Sequence, residues 1–128
     1  MKKATLFIIS LGVVISCSKK EDKQTETSSG EKYKLIEMLA DPGDGSGTFQ
    51  AVTSSKTIEF KTNGTVVSNG KLCDMSTSSS SATAGTYSFT DSTISSANCN
   101  SLPFEITGKH LIIFYPCIEP CQGKFEKQ

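Results

Sequence analysis

Five cysteines and one histidine are the side chains of this 128-residue chain best suited to metal or redox chemistry. A tetrahedral zinc site built from four cysteines normally draws on two close cysteine pairs. Here only Cys117 and Cys121 stand close, as C-x-x-x-C in "YPCIEPCQGKF", and His110 is the sole imidazole. A thioredoxin-like pair would read C-x-x-C at the start of a helix, and this spacing does not. Cys73, Cys99, Cys117 and Cys121 form an even set, which in an exported protein reads as two disulfides. Four cysteines allow three connectivities, and the sequence excludes none of them. Cys73 with Cys99 and Cys117 with Cys121 is the preferred set. The first closes a long loop, and the second pins a turn stiffened by Pro116 and Pro120. Cross-pairing is its rival.

Other candidate chemistry fails on spacing. Asp41 and Asp44 in "DPGDGSG" suggest a calcium loop, but with Asp41 in the first ligand position Gly43 would fall at the third and Val52 at the twelfth. The segment reads as an irregular turn. Ser46 sits in "DGSGT" rather than G-x-S-x-G, and a catalytic triad would have to recruit His110. No enzyme activity, bound metal or cofactor is therefore expected.

The fifth cysteine has a different setting. "MKKATLFIISLGVVISC" opens with Lys2 and Lys3 and continues in an uncharged run from Ala4 to Val14. That is the plan of a secretory signal peptide, and the run is shorter than the roughly 20 apolar residues a bilayer span takes. "VISC" matches the lipobox that precedes a diacylated cysteine, so residues 1–16 are expected to be removed and Cys17 to carry the lipid. Two or more acyl chains give stable membrane anchoring. Residues 18–30, "SKKEDKQTETSSG", contain no apolar side chain, so residues 17–30 form the lipidated cysteine and a disordered tether. Ser18 in place of an inner-membrane retention aspartate points to the outer membrane, on its periplasmic or cell-surface side.

Cleavage after residue 16 removes two of the thirteen basic residues and no acid, leaving a formal charge of −2. With no arginine anywhere in the chain and no basic patch, nucleic acid is an unsuitable partner. Residues 31–128 make one small domain, a size at which covalent cross-links help stability.

The elements that must position these residues are strands. Ile58 and Phe60 in "KTIEFK", Tyr87 and Phe89 in "GTYSFT", and Leu102, Phe104 and Ile106 in "LPFEIT" alternate with polar neighbours. Adding "YKLIEML", "TVVSNGKL", "STISS", "HLIIFY" and "GKFEK" gives eight strands and no amphipathic helix after the signal. Eight suffice for an all-β, antiparallel, up-and-down barrel filled by its own side chains. Short connections, "TNG", "TD" and "GK", follow the second, fourth and sixth strands, and the long ones follow the odd strands. All four domain cysteines then fall at one end, with His110 and the tether at the other.

The lipobox at Cys17, "YKLIEMLADPGDGSGTFQ", the hairpin "KTIEFKTNGTV", "GTYSF" and "LIIFYPCIEPCQGKF" together resemble the lipocalin-like domain of small bacterial lipoproteins. The likeness covers about residues 31–128. It implies a barrel and, by analogy with lipocalins, a ligand taken at the open end. The Gly-x-Trp element that plugs the closed end of lipocalins is absent, and only Gly30 and Tyr33 stand nearby. The expected function is a lipid-anchored envelope lipoprotein binding a small apolar or amphipathic molecule. Asp41, Asp44, Phe49 and Tyr115 would rim the mouth. The alternative is a structural or interaction lipoprotein with a filled barrel that contacts another envelope protein.

Overall fold

The computed structural model describes residues 30–128; the expected signal peptide, Cys17 and nearly all of the expected tether lie outside the described residues. The described chain forms strands β1 (Glu31–Ala40), β2 (Gln50–Ala51), β3 (Thr57–Phe60), β4 (Thr65–Ser68), β5 (Thr83–Ser88), β6 (Thr93–Ser96), β7 (Cys99–Thr107), β8 (His110–Tyr115) and β9 (Cys121–Lys127), with no helix. From β3 to β9 each strand pairs antiparallel with the next. β1 joins β3 on one edge and β9 on the other, running from Tyr33 opposite Lys127 to Ala40 opposite Cys121. The result is a closed up-and-down barrel of eight strands, as the alternation predicts.

The ninth strand is an addition. Along β1, β3 pairs only with Glu31–Lys34, and β2 takes up the same edge at Glu37 and Met38. Between them the Leu35 N–H donates to the Lys56 carbonyl at 3.0 Å and the Val52 N–H to the Ile36 carbonyl at 2.9 Å. The segment predicted as one long loop thus supplies the backbone partners that the upper half of β1 needs.

Two predicted strand limits change for local reasons. "TVVSNGKL" leaves the ladder at Ser68, because the Asn69 side chain turns back to bond the Thr57 N–H and the Ser55 carbonyl. Thr83 then accepts from the Leu72 N–H and donates to the Gly70 carbonyl. The predicted strand "LPFEIT" begins earlier than expected, at Cys99, which pairs with Ser96.

The interior is filled. Along β8, Leu111, Ile113 and Tyr115 are buried and alternate with half-exposed His110, Ile112 and Phe114. Tyr33, Leu35, Ile58, Phe60, Val66, Leu72, Ile94, Leu102, Phe104, Cys121 and Phe125 complete the core. Gly123 on β9 makes room for it, since a Cβ there would stand 3.2 Å from the Tyr115 ring.

At the tight-turn end an aromatic cluster seals the barrel. Phe60 meets Tyr33, Tyr87, Phe89 and Phe104 at centroid distances of 6.0, 4.9, 5.6 and 5.3 Å. Phe89, expected inside, lies just beyond the end of β5 and is 52% exposed, so it caps the cluster from outside. Gly64, at φ 82°, closes the Asn-Gly hairpin beside it in a backbone region that strains any other L-residue.

Candidate functional site

The opposite end carries loops 41–49, 69–82 and 116–120, which are tied to the barrel, the first and last also to each other. Both disulfides lie here, Cys73–Cys99 and Cys117–Cys121, with Cα separations of 5.6 and 6.0 Å. The first anchors the long Ser-rich loop to the start of β7, and the second closes the turn into β9. This is the preferred pairing of the sequence reading.

Asp41 organises its own loop. Its carboxylate accepts the N–H groups of Gly43 at 2.7 Å, Gly45 at 3.0 Å and Gly47 at 2.7 Å. Those bonds, with Gly47 first, hold its pKa below the ordinary carboxylate value. The Asp41 N–H donates to the Pro120 carbonyl at 2.9 Å, joining this loop to the Cys117–Cys121 turn. Asp44 accepts the Ser46 N–H at 2.9 Å, and its pKa is lowered by bonding to Ser46. Both acids therefore serve a backbone turn.

Phe49 lies on the outer wall. Lys124 of β9 sits over its ring, 4.2 Å from the centroid, while also pairing with Glu37 of β1. It neither plugs the lumen nor stands free at the rim. Tyr115 is a core residue, 7% exposed, and burial followed by the charge of Asp74 raises the pKa of its phenol. The four anticipated rim residues are thus not brought together as one lining. Ser46 belongs to the mouth loops and His110 to the tight-turn end, paired with Thr107 across the Gly108–Lys109 turn.

The residue that sequence reasoning missed is Lys56, which is fully buried at 0% exposure. Its ammonium donates to the carbonyls of Asp74 at 3.1 Å and Ser76 at 2.9 Å and lies 5.8 Å from the Tyr115 ring centroid. No carboxylate among the described residues reaches ion-pair distance of it. Desolvation lowers its pKa to about 8, partly opposed by the charge of Asp74. The period-two pattern held the signal, for Lys56 precedes inward Ile58 by two residues and shares its face.

Beside this buried amine the mouth opens into a cleft of about 380 Å³ between the Ser-rich loop and the β6–β7 turn. Lys71, Asp74, Ser81, Thr83, Ser96 and Asn98 supply its polar groups and Cys73 its apolar patch, with buried Leu72 behind them. A second, mainly apolar groove of about 270 Å³ lies along Leu102, Pro103, Phe114 and Pro116. Among the described residues no group of three His, Cys, Asp or Glu side chains could hold a metal ion. No family model, curated protein or solved structure matches this sequence.

Proposed function

We propose that this chain is a lipid-anchored lipoprotein of the bacterial envelope, held at the outer membrane through Cys17, whose filled barrel presents its loop-rich end to another envelope component. The single observation that carries this reading is the interior. It is closed at one end by the Phe60 cluster and at the other by Leu72, Lys56 and Tyr115, all 7% exposed or less. A small apolar ligand would have to displace these side chains, so uptake into the lumen has less support than contact through the rim.

Gly30, where the tether reaches the barrel, abuts the Phe60 carbonyl at the tight-turn end. An anchor on that side turns loops 41–49, 69–82 and 116–120 away from lipid. Rigid scaffolds commonly carry recognition on such loops.

Two measurements in cells test the proposal. Cys17→Ala should release the protein from the membrane fraction, and a mature-sized, membrane-bound mutant would refute the anchor. A photo-cross-linking side chain should give the same discrete adduct from Asp44 and from fully exposed Ile118 and none from Lys109 at the far end. An equal yield from Lys109 would refute the orientation.

A further inference from the structure

Three features of the mouth converge on the cleft of about 380 Å³ beneath the Ser-rich loop. The first is its chemistry. Lys71 and Asp74 stand 3.6 Å apart with side chains 61% and 47% exposed, so the walls carry both signs and little net charge. The Asn98 amide and the Ser81 hydroxyl make no side-chain bond to another described residue, and Ser96 contributes a second hydroxyl against the Cys73 sulfur at 3.0 Å. Donors and acceptors are mixed around a small apolar patch at the Cys73–Cys99 disulfide, with buried Leu72 behind it. Such a lining gives a phosphate no net positive field and offers a purely apolar ligand few contacts.

The second feature is rigidity. Residues 71–78 have no strand partner, yet four ties hold them: Cys73–Cys99, the Thr83 hydroxyl bonded at both Gly70 and Leu72, the Lys56 ammonium on the carbonyls of Asp74 and Ser76, and the Ser54 hydroxyl on the Thr77 carbonyl at 2.7 Å. The third is cost. Burying an ammonium away from any carboxylate opposes folding, and this one is spent on the wall of the cleft.

We infer that this cleft is a preorganised site for a small uncharged saccharide, one or two sugar rings in size. Asp74 and Asn98 bond vicinal hydroxyls, Lys71 and Ser81 close the rim, and the Cys73–Cys99 disulfide faces the apolar side of a ring. Lys56 is a positioning residue, acting through the backbone of Asp74 and Ser76. Alternating hydroxyls and ring C–H groups ask for this mixture of donors, acceptors and a flat apolar patch. The inference is independent of whether the loop end also docks on a protein.

The test uses the purified full-length protein in detergent, titrated by amide NMR with N-acetyl-D-glucosamine, D-galactose and methyl α-D-mannoside, with inorganic phosphate as a control. At least one sugar should give saturable shifts confined to Lys71–Asp74, Ser81–Thr83 and Ser96–Asn98. Asn98→Ala should weaken that binding at least tenfold without moving the unfolding midpoint, and Asp74→Asn should weaken it at least as much. Lys56→Met should weaken it similarly and speed hydrogen exchange at residues 71–78 alone, leaving the strands unchanged. The inference is overturned if no sugar gives saturable shifts, if the shifts fall on the Phe114 groove, or if phosphate reproduces them. Unaltered affinity in Asn98→Ala and Asp74→Asn would also overturn it, whatever Lys56→Met does.

Discussion

The two ends of the barrel are closed by different physics. At the tight-turn end the connections are a few residues long, and aromatic side chains from β3, β5 and β7 reach one another directly. At the mouth the loops are too long and too rich in serine and glycine to pack that way. Covalent links, Asp41 as an acceptor for backbone N–H groups, and one buried ammonium close it instead. Apolar packing needs many partners at once, whereas a cross-link or a hydrogen-bonded charge can hold a loop with few. The mouth can therefore be rigid and still leave polar groups facing solvent.

Substitutions can break this contrast, and the largest effect is expected where packing alone acts. Phe60→Ala removes the ring that touches every other member of the cluster and should cost about 3–5 kcal/mol in urea unfolding. A loss under about 1 kcal/mol would mean the cap is not part of the core. Removing Cys73–Cys99 as a paired alanine variant should cost about 3–4 kcal/mol, against about 2 for Cys117–Cys121, because the loops closed differ in length. Equal losses would show that strain or packing, rather than chain entropy, sets their value.

A pH series isolates the buried amine. Lys56 titrates at about 8 in the folded protein against an ordinary 10.5, so between those values the unfolded chain holds more protons and stability rises with pH. Tyr33, raised to about 12 chiefly by burial, works the other way above its ordinary value of 10. The clean window is pH 8–10. A gain of about 2 kcal/mol is expected across it, and Lys56→Met should flatten the profile. A wild-type profile already flat there would place the ammonium in contact with water. The neutral amine keeps two N–H donors, so both carbonyl bonds survive the titration.

The smallest effect belongs to the outer wall. Phe49→Ala loses a half-exposed ring beneath Lys124 and should cost less than about 1 kcal/mol. A core-sized penalty would mean that the ring enters the barrel in solution.

Much of this was legible from residue order alone. "HLIIFY" is a strand residue for residue, and "KTIEFKTNGTV" forms the hairpin its Asn-Gly pair announces, because side-chain alternation and turn chemistry are local properties. Placing alternate connections at the same end brings all four domain cysteines together, but the choice among their three pairings is made by the fold. Tyr115 shows where that reasoning stops. Its position at the end of a strand is visible in the chain, but whether the ring turns to solvent or inward depends on the space Gly123 leaves on β9. Phe49 is similar, since a ring in a Gly-rich loop has no periodicity to assign its face.

By itself the sequence determined the strand alternation, the short and long connections at opposite ends, and the even cysteine set, all of which rest on neighbours close along the chain. Only the tertiary structure decided that the lumen is full, that β2 completes the edge of β1, and that Lys56 ends under the Ser-rich loop on carbonyls eighteen and twenty residues away. Those outcomes depend on which volumes remain when eight strands close on one another, and each residue's share of that space is set by partners far from it in the chain.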